Sequence, residues 1–163
     1  MNRSNKKCMN PSKPRSIINL VLLCCLVGML SSCATKIPYK SVKNQLPPIK
    51  AGYARVYFYC LQGNGIRYPL RVDGKKAGFV ENYECLYQDH APGNCKLTVG
   101  MAGMIFTPGK DLTLNLTPGE TQYVQVEQAL HLFGPASCRL ILMDPDQGAP
   151  DLDQCYFMQS KTP

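Results

Sequence analysis

The sequence predicts an all-β chain, a small antiparallel β-sandwich of about seven to eight strands behind a flexible N-terminal tether. Three observations lead there. Apolar and polar residues alternate with period two after residue 51, turn signals recur every eight to twelve residues, and helical periodicity is nearly absent. Residues 51–163 are enough for one core and too few for two domains.

The strands can be justified in order. Along Tyr53 to Cys60, Ala54, Val56, Phe58 and Cys60 share one face, while Tyr53, Arg55, Tyr57 and Tyr59 share the other. Tyr68 to Val72 and Lys76 to Val80 flank Asp73-Gly74, a hairpin signal because Gly tolerates the positive φ of a type I′ turn. Tyr83 to Gln88 and Cys95 to Val99 flank Ala91-Pro92-Gly93, which predicts a second hairpin. Asp111 to Leu116 and Gln122 to Val126 flank Thr117-Pro118-Gly119-Glu120, where Pro then Gly suits a type II turn. Arg139 to Met143 is a last apolar run, and Pro150 to Gln154 allows one short turn of helix.

The N-terminus has its own logic. Arg3, Lys6, Lys7, Lys13 and Arg15 form a basic stretch without acids, and an apolar run from Ile17 to Leu30 follows. That run is short of the roughly twenty residues a membrane span needs, but it suits a signal peptide. Leu30-Ser31-Ser32-Cys33 then resembles a bacterial lipobox. The resemblance implies acylation of Cys33 and removal of residues 1–32; an uncleaved anchor or an ordinary signal peptide is the alternative. Met9 also begins a short basic stretch, so either Met1 or Met9 serves as the start. Ala34 follows the cysteine where inner-membrane retention usually wants Asp, which implies an outer-membrane lipoprotein facing the periplasm.

Residues 33–50 then read as the lipidated cysteine and a tether, with Pro38, Pro47, Pro48 and four lysines but no acid. Those lysines either rest on anionic headgroups, at roughly 1 kcal/mol each, or belong to a plain spacer. Charge supports the division. The chain has a net charge of +7, but five basic residues lie in the leader, leaving 13 basic against 11 acidic residues. From Ala51 the balance is 9 basic against 11 acidic. The basic charge is therefore a targeting signal and a tether, and nucleic-acid binding is rejected.

Five of the nine cysteines lie after Cys33: Cys60, Cys85, Cys95, Cys138 and Cys155. Export permits disulfides, yet five is odd. Cys85 with Cys95, on the predicted hairpin, is the first choice for a bridge and Cys138 with Cys155 the second, leaving Cys60 as a buried free thiol. A bridge over so short a loop adds about 2–3 kcal/mol. The competing reading is that these are packed thiols. The spacings fit neither a zinc site nor a Cys-x-x-Cys redox pair.

Catalytic chemistry has little to work with. After Cys33 there are two histidines, His90 and His131; Asp89 adjoins His90, but neighbouring strand residues point to opposite faces. Ser41, Ser137 and Ser160 stand in no nucleophile elbow, and Gly100, Gly103 and Gly109 in no phosphate loop. The sequence predicts no enzyme, no cofactor and no resident metal. One weak calcium candidate is Asp144, Asp146, Asp151 and Asp153 around Gly148, but the EF-hand order fails, and a solvated loop with helix-capping aspartates competes. Tyr53, Tyr57 and Tyr59 offer a flat amphipathic face to a glycan or an envelope protein; a strand covered by the tether or a loop would read the same way.

The segments Ala54-Arg55-Val56-Tyr57-Phe58-Tyr59, Val72-Asp73-Gly74-Lys75-Lys76-Ala77-Gly78, Ala91-Pro92-Gly93 and Thr117-Pro118-Gly119-Glu120 occur in the order seen in a bacterial lipoprotein domain of unknown function. They also look like PEGA-type envelope β domains. The resemblance spans most of residues 51–126 and implies a transthyretin-like β-sandwich without known catalysis. Cys60 replaces an Arg of the pattern, and Asn94-Cys95 a Lys-His. The expectation is a lipid-anchored periplasmic protein serving as a non-catalytic binding or envelope-structural module. The alternative is an inhibitor of lysozyme-type hydrolases, because Asn64-Gly65-Ile66-Arg67-Tyr68 resembles the Ser-Gly-x-Arg-Tyr loop of one inhibitor group.

Overall fold

The computed structural model describes residues 36–62, 65–100, 111–129 and 137–158. Residues 1–35, Cys33 among them, lie outside these, as do His131 and Ser160. Among the described residues ten strands build two sheets, as the alternation predicts, though two of the ten are only two residues long. The strands are β1 (Ile37–Pro38), β2 (Ala54–Cys60), β3 (Tyr68–Val72), β4 (Lys75–Val80), β5 (Glu84–His90), β6 (Gly93–Val99), β7 (Leu112–Leu116), β8 (Thr121–Ala129), β9 (Ser137–Met143) and β10 (Tyr156–Phe157). One sheet has the order β1-β10-β5-β2-β8-β9 and the other β4-β3-β6-β7. Pairing is antiparallel except for β2 with β8 and β10 with β5.

The turns behave as their residues require. Asp73 and Gly74 take φ of 48° and 76°, the two positive values of a type I′ turn, and Val72 pairs with Lys75 across it. Gly119 takes φ 80°, and Glu120 N–H donates to the Thr117 carbonyl at 3.1 Å, as a type II turn demands.

The predicted hairpin at Ala91-Pro92-Gly93 does not form. One edge of β5 is taken by β2 in seven antiparallel pairs, and β10 holds Glu84 and Cys85 on the other edge. The chain therefore crosses to the other sheet, where β6 pairs with β3 and β7. The same reasoning separates β7 from β8, since β8 is filled by β2 and β9.

Between the sheets, Val56 and Phe58 of β2 meet Leu70, Leu97, Val99, Leu114, Val124 and Val126. This is the core that the period-2 pattern predicts. Strand β2 is buried on both faces, however, because a second cluster covers the other side of its sheet. That cover comes from two places. Helix α1 (Tyr39–Val42), continued by a 3₁₀ turn at Lys43–Gln45, brings in Tyr39. Helix α2 (Pro145–Leu152) and the residues after it bring in Leu152 and Cys155.

Two expectations are thereby corrected. From Lys36 the segment read as a flexible tether belongs to the folded unit: β1 pairs with β10, and Tyr39 N–H donates to the Cys155 carbonyl at 2.8 Å. Its prolines and lysines hide one decisive aromatic, and burying Tyr39 against Tyr57 outweighs the polar composition around it. The helix near residue 150 is also longer than one turn. Pro145 starts it at a position that needs no N–H, while Gly148 and Pro150 obscure its pattern in the sequence.

Candidate functional site

Tyr57 and Tyr59 face away from the inter-sheet core, as alternation predicts, but they are not a docking face. Tyr57 stacks on Tyr123 at 5.8 Å and meets Tyr39 edge-on at 5.7 Å, while Tyr59 is fully buried. The Tyr59 hydroxyl donates to Asp151 Oδ2 at 2.9 Å, and burial raises its pKa. Tyr53 is half-buried beneath the Lys50 ammonium, which lies 4.0 Å from the ring centroid. The platform expected for a partner is occupied by the protein itself.

The acidic cluster is likewise not a calcium loop. Asp144 stands at the N-cap position of helix α2 without a side-chain capping bond, Asp146 lies in its first turn, and Asp151 and Asp153 lie at its end. Helical geometry spreads them apart. Asp151 accepts from Tyr59, and Asp153 pairs with Lys43 at 2.9 Å.

Among these aromatics β2 carries a buried cation. Arg55 Nε and Nη2 donate to the two oxygens of Asp89 at 2.7 and 3.0 Å, and Nη1 donates to the Pro47 carbonyl at 2.9 Å. The guanidinium lies 4.0 Å from the Tyr87 ring centroid. Burial works against the charge on Asp89, but the hydrogen bonds and charge of Arg55 outweigh it and hold that carboxyl below its ordinary range. Asp89 and His90 do diverge, and each serves a different partner.

His90 closes β5 at the point where the chain leaves for the second sheet. Its Nε2 lies 2.9 Å from Asp73 Oδ2, and its Nδ1 lies 2.8 Å from the Ala91 carbonyl oxygen. Asp73 belongs to the β3–β4 turn, which is fastened to β6. Asp73 N–H donates to the Lys96 carbonyl, and Lys96 N–H donates to Asp73 Oδ1, both at 2.8 Å. This docking brings Asp73 beside Cys95, the neighbour of Lys96. The nearest ligand atoms of Asp73, His90 and Cys95 all lie within 4.8 Å of one another. Asp73 is exposed, His90 partly so and Cys95 buried. Hydrogen bonding from the Lys96 N–H holds the Asp73 carboxyl low, whereas burial, with the Asp73 charge nearby, pushes the Cys95 thiol up to about 11. A carboxylate, an imidazole and a thiol thus converge where β5, β6 and the β3–β4 turn meet.

Nothing in the linear spacing announces this cluster. Asp73 reads as a turn former, His90 as an incidental neighbour of Asp89, and Cys95 as half of a disulfide. The available signal is that all three stand at or near turns, which gains meaning only from the topology.

The five described cysteines after Cys33 are free and buried. The expected bridges fail for a topological reason: Cys95 and Cys138 face the inter-sheet core, whereas Cys85 and Cys155 belong to the aromatic cluster on the far side of the six-stranded sheet. Cys60, the thiol expected to lack a partner, lies in the inter-sheet core and donates to the Gln62 carbonyl at 3.4 Å. The Cys85 thiol is instead hydrogen-bonded to that of Cys155, which together with burial raises its pKa. Met158 N–H fixes this juxtaposition by donating to the Cys85 carbonyl at 2.8 Å. Peptide mapping after denaturing alkylation without reductant is expected to show no Cys85–Cys95 link. Any linked peptide is expected to join Cys85 to Cys155. A Cys85–Cys95 peptide would mean that β5 and β6 pair after all.

The Asn64-to-Tyr68 resemblance can be placed from Gly65 onward. Tyr68 is fully buried, whereas Arg67 pairs with Glu81 at the surface with its side chain 61% exposed. No family model matches the chain, and no curated protein matches it.

Proposed function

We propose that this chain is an outer-membrane lipoprotein whose β-sandwich serves in the periplasm as a non-catalytic binding or envelope-structural module. The observation that carries the reading is the basic stretch, the apolar run and Leu30-Ser31-Ser32-Cys33, in that order. The PEGA-like order of the turn motifs is compatible with it, as is a small two-sheet fold.

The packed unit adds a constraint. Among the described residues chain pairing begins at Ile37, so a lipid on Cys33 would leave only Ala34, Thr35 and Lys36 as spacer. Even fully extended, that linkage spans only about 14 Å. Such a module works close to its membrane rather than reaching across the periplasm.

Cys33→Ser is expected to abolish labelling by palmitate analogues and to release the protein from sedimenting membranes. Normal labelling of that variant would overturn the localisation and the anchor together.

A further inference from the structure

We infer that Asp73, His90 and Cys95 bind a divalent transition-metal cation of the zinc type at the rim of the sandwich. The inference is independent of the lipid anchor. It rests on four features of the cluster.

The donor set has the right chemistry. Carboxylate oxygen, imidazole nitrogen and thiolate sulfur are the three ligand types zinc takes from proteins, whereas calcium and magnesium want oxygen alone. The geometry is close to the required one. Tetrahedral zinc with bonds of about 2.0–2.3 Å needs ligand atoms roughly 3.3–3.6 Å apart. Asp73 Oδ2 and His90 Nε2, at 2.9 Å, would open slightly. Any separation near the 4.8 Å limit of the set would close by about 1 Å.

The ligands are also oriented from behind. With Nδ1–H donated to the Ala91 carbonyl, the ring would leave its Nε2 lone pair for a cation held beside Asp73. The Lys96 N–H fixes Asp73 through Oδ1 and leaves Oδ2 facing the ring. Both ring nitrogens therefore face oxygens that can only accept. A cation between Nε2 and Oδ2 gives Asp73 its partner while Nδ1–H keeps the Ala91 carbonyl.

Access completes the argument. Asp73 and His90 have side chains 43% and 26% exposed, so a cation can enter from solvent and meet the buried sulfur last. Three protein ligands leave a fourth position free for water or a ligand atom from a partner. On binding, the Cys95 S–H proton passes to solvent and a metal–sulfur bond forms, with no change of oxidation state.

The test uses the full chain in detergent, stripped with chelator and titrated with Co²⁺. One cobalt per chain, with a near-ultraviolet thiolate-to-cobalt absorption band displaced by Zn²⁺, is the expected result. The band should vanish in Cys95→Ser. Asp73→Asn and His90→Gln should each weaken zinc binding at least about tenfold, with β-sheet circular dichroism unchanged. Asn is suited to this test because it tolerates the positive φ of residue 73 and can still accept from the Lys96 N–H. These two changes lie at the exposed rim and carry the test if Cys95→Ser misfolds. A missing thiolate band, a band that survives Cys95→Ser in a folded protein, or undiminished affinity in the two rim variants would overturn the site. The cluster would then be a histidine–carboxylate contact beside a packed thiol.

Discussion

Asp89→Ala is expected to lower the stability of the fold by about 3 kcal/mol, because it leaves Arg55 as an uncompensated buried charge. The Arg55 side chain is 6% exposed and that of Asp89 18%. The carbonyls of Pro47 and Pro48 solvate part of the guanidinium but bring no negative charge. For a domain of this size the loss corresponds to a fall in melting temperature on the order of 10 °C. Asp89→Asn keeps an acceptor without the charge and should lose less. The effect also has a signed pH dependence. Arg55 depresses the folded-state ionisation of Asp89, so its contribution is full above the unfolded carboxylate pKa of about 3.9. That contribution is lost as pH falls through the lower folded value. The stability gap between wild type and Asp89→Ala should therefore narrow in acid. A loss under about 1 kcal/mol at neutral pH would mean that water reaches Arg55 and the pair behaves as a surface ion pair.

The second large effect concerns a glycine. In an ordinary helix interior, Gly→Ala stabilises by about 1 kcal/mol. Gly148→Ala is expected to do the opposite. A Cβ at this position would come within 2.4 Å of Tyr123 Cβ and 2.5 Å of its Cγ. The first of these atoms is attached to the backbone of β8, which is paired on both sides and cannot swing away. Helix α2 must lift instead, loosening Leu152 and the Tyr57–Tyr123 stack. A net loss of about 2 kcal/mol is expected, measured by urea denaturation. Gln147→Ala, at an exposed site one residue earlier, is the control and should change little. A stabilised Gly148→Ala would show that α2 does not press on the sheet.

These two sites mark where sequence reading stopped. Alternation in 54–60 correctly put Val56 and Phe58 into the core, since a strand's two faces follow from its pleat. It could not tell whether the opposite face was wet. Tyr57 and Tyr59 read equally as a partner face or as a face covered by the tether or a loop; the cover comes from α1, in the segment read as tether, and from α2, far downstream of β2. Turn chemistry was legible wherever it is local, as at Asp73-Gly74 and Thr117-Pro118-Gly119-Glu120. Strand partnership was not, because it depends on which edges are already occupied; hence the misplaced hairpin and the misassigned Cys85 and Cys95. The Asp73–His90–Cys95 cluster was illegible for the same reason. Its members come from β5, β6 and a turn between two others, and only the crossing between sheets brings them together.

The pairing of β1 with β10 sets an order in time. Ile37 meets Phe157 and Pro38 meets Tyr156, so this ladder closes a loop spanning nearly the whole folded unit, with a correspondingly large entropy cost. Long-range closures of this kind slow folding. A chain emerging from its N-terminus must hold Tyr39 in water until residues beyond 150 arrive. Through that interval Tyr57 and Tyr123 form a bare apolar face, a surface on which partly folded chains stick to one another. Residues near the start of the folded unit are thus among the last to find their partners.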